Sequence, residues 1–286
     1  MNASPIHADT PQILVTGGTG RLGPLVVARL RAAGQPVRVL SRGKHNRDVL
    51  SDPGVTFATA DLSTGEGVDA AVAGMDVIVH LAGSQKGDGG KARHLVAAAE
   101  RAGVRHLVFI SVVGADRIPM SSRIDRMMFG YFGSKREAER VIETSAVPWT
   151  ILRASQFFDI ALVTAEGICR LPVALVPAGL RFQPVDTGEV AARLAELALA
   201  LPAGHVPDLA GPQTYELAEL VSTYLAAAGR RRRIVRMPVP GAAARAIREG
   251  AILSPERAVG RRTWEAFLAE RVGSLRDRSL RTGATR

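Results

Sequence analysis

Gln12-Ile13-Leu14-Val15-Thr16-Gly17-Gly18-Thr19-Gly20-Arg21-Leu22-Gly23 is the stretch on which the fold of this chain turns. A short apolar run ends in a glycine cluster, and an apolar, helix-compatible segment, 25–33, follows. The pattern predicts strand, tight turn and helix. Such a turn aims backbone N–H groups and a helix N-terminus at one point, the usual seat of a pyrophosphate. Gly17, Gly20 and Gly23 are spaced G-x-x-G-x-x-G, not G-x-G-x-x-G. Glycine also punctuates ordinary loops, and a purely structural turn is the alternative. The position after a strand and before a helix favours the nucleotide site.

Outward from this turn, short β patterns at 12–16, 36–41, 54–59, 76–80, 105–110 and 149–153 alternate with helical ones at 21–33, 44–50, 65–73, 88–102 and 133–146. That alternation predicts an α/β fold, a Rossmann-type doubly wound parallel sheet. Ile13–Val15, Val77–Val79 and Leu107–Ile110 are near-continuous apolar runs, as strands buried on both faces require. After Ala154 the rhythm breaks. Residues 155–185 hold several Pro and Gly and apolar pieces without clear period. A helix near 187–200, a strand near 205–209, a helix at 215–228, a strand at 232–237 and helical pieces to about 270 follow. The expected organisation is a flexible N-terminus (1–11), a dinucleotide-binding domain (12–154), a small C-terminal α/β substrate lobe (155–272) and a disordered basic tail (273–286).

The 286 residues are enough to bury about three quarters of the unfolded surface, so neither disulfide nor metal is needed as a staple. Cys169 is the only cysteine and reads as a small buried apolar residue in a reducing compartment. Residues 1–11 lack the apolar core of a secretory signal, and no apolar run approaches the ~18 residues of a membrane span, so a cytoplasmic protein without membrane contact is expected. The net charge is +10, but aromatics are only 5% of residues and are not interleaved with the arginines. The densest cluster, Arg230–Arg233, follows Gly229 and precedes Ile234-Val235. It reads as a helix stop and the solvated entry of a strand, not as a nucleic-acid surface. A small-molecule substrate and a monomer or homodimer are expected.

In sheets of this kind the residue closing the second strand meets the adenosine ribose. An acid there selects NAD, and an arginine accommodates the 2′-phosphate of NADP. Here that strand ends in Ser41-Arg42, with Lys44 and Arg47 close by and no acid at its end. NADP(H) is therefore expected over NAD(H), the alternative being a solvated cationic turn. Asp61-Leu62 follows the third strand, and Asp61 suits either the adenine amino group or an N-cap in the 61–65 turn. His80-Leu81-Ala82-Gly83 follows the fourth, where small residues let the backbone approach a ribose. His80 and the other five histidines form no ligand pair, so no metal site is expected.

The fifth strand ends in Ser111, and Tyr131 and Lys135 follow at helical i, i+4 spacing, which shares one face. A phenol with a pKa near 10 is a poor base at neutral pH. A neighbouring ammonium and a nicotinamide cation favour the phenolate. With a serine hydroxyl opposite, these groups form a proton-transfer site for a carbonyl–alcohol pair beside a hydride carrier. Residues 115–130 between them carry Ile118, Met120, Ile124, Met127, Met128 and Phe129. They read as an apolar lid or as an extra helical turn packed on the core.

The chain resembles the atypical and extended short-chain dehydrogenase/reductases, specifically their NAD(P)H-binding, NmrA-like branch, over roughly residues 11–270. The resemblance rests on T-G-G-T-G-R-L-G at 16–23, V-I-V-H-L-A-G at 77–83, Ser111 with Tyr131 and Lys135, and V-P-W-T-I-L-R at 147–153. It implies that Gly17, Thr19, Gly20, Arg21 and Leu22 touch the pyrophosphate, that Arg42 takes the 2′-phosphate, and that Leu81, Ala82 and Gly83 meet the ribose. It implies Ser111, Tyr131 and Lys135 as the catalytic set, with Lys135 also on the nicotinamide ribose. Ala154, Gln156 and Phe157 would line the nicotinamide and substrate side. The expected activity is NADP(H)-dependent oxidoreduction of a small apolar carbonyl, quinone or alcohol. The branch also holds dinucleotide sensors without catalysis, which is the alternative. An epimerase or dehydratase is a lesser one, since the C-terminal lobe is short for a sugar nucleotide.

Overall fold

The structure, a computed structural model, describes residues 10–43, 52–84 and 86–271. Its strands are β1 (Ile13–Thr16), β2 (Val37–Ser41), β3 (Val55–Thr59), β4 (Val77–His80), β5 (His106–Val112), β6 (Trp149–Ala154), β7 (Val173–Pro177), β8 (Arg181–Phe182), β9 (Gly204–His205), β10 (Tyr215–Glu216) and β11 (Arg233–Met237). Its helices are α1 (Gly23–Ala32), α2 (Val68–Val72), α3 (Asp88–Ala102), α4 (Arg123–Glu143), α5 (Phe158–Ile168), α6 (Thr187–Ala198), α7 (Leu217–Ala227) and α8 (Ala242–Arg248). Residues 264–271 are also helical. The expected helix at 44–50, the tail at 273–286 and residues 1–9 of the expected N-terminal arm lie outside the described residues.

The described chain divides into two interleaved units. The first comprises the residues up to Ser111, Ser134–Leu152 and Ala191–Val206. The second comprises Val112–Gly133, Arg153–Val190 and the residues from Pro207 on.

The first unit is built on a seven-stranded parallel sheet of order β3-β2-β1-β4-β5-β6-β9, flanked by helices. β1 pairs in parallel with β2 on one side and β4 on the other, Ile13 facing Val37 and Val77. Every residue of β1 and β4 is buried, which explains their unbroken apolar runs. Strand order reverses between β1 and β4, and in open α/β sheets the crevice beyond the carboxyl ends at that reversal is where ligands sit. The core joins Leu14, Ile78, Leu107 and Phe109 of the strands to Leu95 and Ala99 of α3 and Ala138 and Ile142 of α4.

The second unit has a separate core. Phe158, Trp264 and Phe267 stack with ring centroids 5.2–5.9 Å apart. Around them lie Cys169, Leu220, Val221 and Leu225, with Cys169 buried as expected. β7 and β11 form a parallel pair, β8 and β10 an antiparallel one. A smaller cluster joins Ile118, Met120, Phe129 and Phe132 to Leu180, Ile247 and Ile252.

Three expectations need correction. The irregular stretch 155–185 contains α5, β7 and β8. The helix carrying Tyr131 begins ten residues before 133, at Arg123, so much of the expected loop at 115–130 is helix. The strand expected at 205–209 is β9, two residues long, with a single bridge from Ala154 to Leu209 beyond it. Arg230–Arg233 do lie between α7 and the start of β11, with Arg231, Arg232 and Arg233 exposed.

Candidate dinucleotide site

The turn after β1 is tight: the Gly20 N–H donates to the Gly17 carbonyl at 3.0 Å. Gly17 has φ +68°, which L side chains rarely adopt, and a Cβ there would lie 2.7 Å from the backbone nitrogen of Ala82. The turn and the 81–83 segment thus touch backbone to backbone at the point where strand order reverses. Thr19, Gly20 and Arg21 are exposed at this turn, whereas Leu22 is buried and anchors it to the core. Pro24 opens α1, where a missing N–H costs nothing.

Ser41 closes β2, buried, and accepts the Gly43 N–H at 3.4 Å. Arg42 stands exposed beside it. Lys44 and Arg47 are outside the described residues. Asp61 accepts the Ser63 N–H at 2.7 Å, the turn-capping bond foreseen as the alternative to adenine contact. That bond, helped by the charges of Arg42 and Lys91, holds its carboxyl below the usual carboxylate range. The Leu62 side chain is core, and its carbonyl pairs with His94 Nδ1 at 2.8 Å.

His80, at the end of β4, has a partner that sequence reasoning missed. Its Nδ1 lies 2.7 Å from Thr16 Oγ1, which also accepts the Ala82 N–H at 3.3 Å. The ring stacks on Phe109. Burial, reinforced by the nearby Lys135 charge, pushes the imidazole pKa down to about 3, so it is neutral near pH 7. The pair ties the ends of β1 and β4 together and fixes the segment that carries Leu81, Ala82 and Gly83.

Lys135 is almost fully buried. Its ammonium donates to the Ile110 carbonyl at 3.2 Å, lies 4.8 Å from the Phe109 ring centroid and pairs with Asp88 Oδ2 at 3.5 Å. Burial lowers its pKa, and Asp88 opposes that. A Cβ on Gly83 would come within 2.9 Å of Lys135 Nζ and 3.2 Å of Asp88 Oδ2, so this ion pair lies directly against the Gly83 backbone. Ser111 lies one residue beyond Ile110. Its Oγ is buried and has no hydrogen-bond partner among the described residues. Lys135 and Ser111 therefore meet the same end of β5. Tyr131 precedes Lys135 by one turn of α4, is 38% exposed, and shares the helix with exposed Ile124, Met127 and Met128. Ala154 is buried at the end of β6. In the second unit Gln156 Oε1 accepts the Gln183 N–H at 3.3 Å, while its Nε2 is buried without a partner among the described residues. Phe157 caps α5 and bridges to Val185.

A family model described as NAD(P)H-binding matches residues 17–169, more than half the chain and the segment that holds this turn, Lys135 and Ser111. The chain belongs to the NAD(P)H-binding family. It is 30% identical over 223 residues to the NAD(P)H azoreductase of Xenophilus azovorans, spanning 76% of this chain and 74% of that protein. It is 33% identical over 156 residues to the (4-alkanoyl-5-oxo-2,5-dihydrofuran-3-yl)methyl phosphate reductase of Streptomyces griseus subsp. griseus, spanning 54% of this chain and about half (51%) of that one. Its fold is like that of the NADPH-dependent quinone oxidoreductase QOR2 of Escherichia coli, solved with NADPH: TM-score 0.74, 21% identity, covering 92% of this chain and 99% of the other. Of what the expected resemblance implies, membership of an NAD(P)H-binding family and the Rossmann-type fold are borne out. The residues of this NAD(P)H-binding chain fit a dinucleotide: the Gly17 turn forms a cradle a side chain would fill, and Ser111 Oγ is a buried polar atom without a hydrogen-bond partner among the described residues.

Asp88, Lys91, Thr16, Ser84 and Ser134 are polar residues of this region that sequence reasoning missed. No helix among the described residues is long and apolar enough to cross a membrane.

Proposed function

We propose that the chain is an NADP(H)-dependent oxidoreductase of the short-chain dehydrogenase type, moving a hydride to or from a small apolar carbonyl, quinone or alcohol with Tyr131 as proton donor or acceptor. The observation that carries this reading is the buried ammonium of Lys135 against Gly83, at the end of β5 where the Ser111 hydroxyl has no partner among the described residues. The relatives support the reaction class: one is named for reduction of azo compounds with NAD(P)H, and a structural neighbour for NADPH and quinones. Azo groups and quinones are conjugated acceptors of two electrons. The preference for NADP(H) over NAD(H) rests on β2, which ends in Ser41-Arg42 with no carboxylate to repel a 2′-phosphate.

When bound, the nicotinamide supplies or takes up the hydride. The chain's own groups manage charge and protons. The Tyr131 hydroxyl gives its proton to the acceptor oxygen as negative charge develops there. Ser111 Oγ–H donates to the same oxygen. Lys135, one helical turn from Tyr131, stabilises the phenolate left behind and holds the ribose hydroxyls. In the oxidative direction each proton moves the opposite way.

Tyr131→Phe keeps the ring and removes the ionisable oxygen. With a carbonyl substrate it should lower kcat by about 10²–10⁴-fold and leave NADPH affinity nearly unchanged. Full carbonyl-reducing activity in that variant would remove tyrosine as the acid.

A further inference from the structure

Asp88 is completely buried in the first turn of α3. Its polar contacts reach several parts of the candidate site. Its N–H donates to Ser134 Oγ at 3.0 Å, on α4 next to Lys135. Its Oδ1 accepts the Ser84 N–H at 2.8 Å, at the end of the segment that carries Gly83. Its Oδ2 faces Lys135 Nζ at 3.5 Å, and Lys91 Nζ lies 3.4 Å from Oδ1. Composition sharpens the point. Only four of the 37 basic residues are lysines, Lys44, Lys86, Lys91 and Lys135, and two of the four converge on this carboxylate. An ammonium taken out of water is costly unless a paired anion offsets it. An acid is the group that keeps Lys135 charged at this depth.

We propose that Asp88 is the positioning residue of the reaction: it fixes Lys135 as an ammonium beneath Gly83 and clamps the 81–84 segment to α4, so that Lys135 presents its N–H groups to the nicotinamide-side ribose. The proposal rests on the functional reading of Lys135 given above. Asp88 is too deep to touch cofactor or substrate, and it acts through Lys135. The charged or titratable groups around the pair are Lys91 on α3, Glu139 on α4 and His80 on β4. Lys91 and Glu139 oppose one another in their effect on Lys135, and His80 is neutral near pH 7. The net charge that holds Lys135 protonated therefore falls to Asp88.

The test is a side-chain NMR titration of lysine-labelled protein without cofactor, with four signals at most to resolve and Lys135→Met to assign the one that matters. In Asp88→Asn, which keeps the shape and the Ser84 bond, Lys135 should lose its proton at a pH at least about one lower than in the native protein. An unmoved midpoint overturns the proposal. Should Asp88→Asn not fold, Asp88→Ser stands in: it too removes the charge, so Lys135 should again lose its proton at a lower pH than in the native protein, and an unmoved midpoint overturns the proposal. NADPH affinity by calorimetry supplies the functional arm. Asp88→Asn should weaken binding about ten-fold in the native background and not at all in Lys135→Met, as residues acting as a unit behave. Equal losses in both backgrounds make Asp88 a structural residue only and overturn the proposal. A protein whose Lys135 midpoint falls in Asp88→Asn but which does not bind NADPH overturns the functional reading and the role with it. The intact coupling tells that failure from the others.

Discussion

At the end of β2 the Arg42 guanidinium is exposed beside buried Ser41, and Asp61, a carboxylate that feels its charge, is engaged in its own turn. On the proposed reading, native protein binds NADPH more tightly than NADH. Arg42→Asp should reverse the order, costing NADPH about ten-fold or more, because a charge-assisted phosphate contact becomes a repulsion. Equal native affinities in a calorimetric titration would contradict this. His80 gives a prediction of another kind. Its folded pKa of about 3 lies below its ordinary value of 6.5, so the unfolded chain binds the extra proton between those values. Stability therefore rises with pH across that window, is fully present above about 6.5 and is lost as pH falls. Between pH 7 and pH 5 the loss is about 2 kcal/mol. Denaturant titrations of native protein and His80→Asn at the two pH values check it, the variant losing correspondingly less. The sequence made some of these residues readable. Gly17, Ser111 and Lys135 sit at strand ends or at a fixed helical step from one another. The Thr16–His80 pair joins residues 64 positions apart, and Asp88 looks like any acid in a first helical turn until its burial is known.

The strand–turn–helix from β1 to α1 was legible because its signal is local: an apolar run, glycines, then Pro24 at the helix start. Gly17→Ala tests whether the turn is as tight as it looks. A non-glycine residue at φ +68°, its Cβ 2.7 Å from the Ala82 nitrogen, should cost about 1–3 kcal/mol of stability in chemical denaturation. It should also weaken NADPH binding more than ten-fold, since the clash spreads the turn from the 81–83 segment. Unchanged affinity would separate this turn from the cofactor. α4 was misread at its beginning although the signal was there. Ser122 and Asp125 form a reciprocal cap: the Asp125 N–H donates to Ser122 Oγ at 3.0 Å and the Ser122 N–H to Asp125 Oδ2 at 3.1 Å. An S-x-x-D ahead of Met127 and Met128 spells a helix start near 123. The length of 115–130 and its methionines suited a lid instead. In that helix Phe129 and Phe132 pack with Ile118, while Ile124, Met127 and Met128 stay exposed. α5 was hidden for the opposite reason. Phe158–Ile168 is apolar almost throughout and starts without a side-chain cap, so neither period nor boundary stands out.

Across the molecule the alternation of strands and helices predicted a parallel, doubly wound sheet, and the seven-stranded sheet of the first unit is one, because each βαβ unit is a local step of the chain. The interleaving of two units was not readable. The excursions at 112–133 and 191–206 leave one unit for the other inside continuous elements, α4 and α6 among them, where composition does not change. Each unit nevertheless has its own core, aliphatic around the sheet and aromatic around Trp264. The +10 charge is distributed over many arginines, several of them in ion pairs such as Arg153 with Asp116 and Arg262 with Asp186. The central claim is that this NAD(P)H-binding chain transfers hydride. Its most direct test is the oxidation of NADPH by the full chain, followed by loss of the reduced nicotinamide's absorbance, across a panel of small quinones, azo compounds and apolar carbonyls. The account predicts saturable NADPH-dependent turnover with at least one member, slower with NADH. Tight NADPH binding with no turnover across the panel would contradict it and make the chain a dinucleotide sensor.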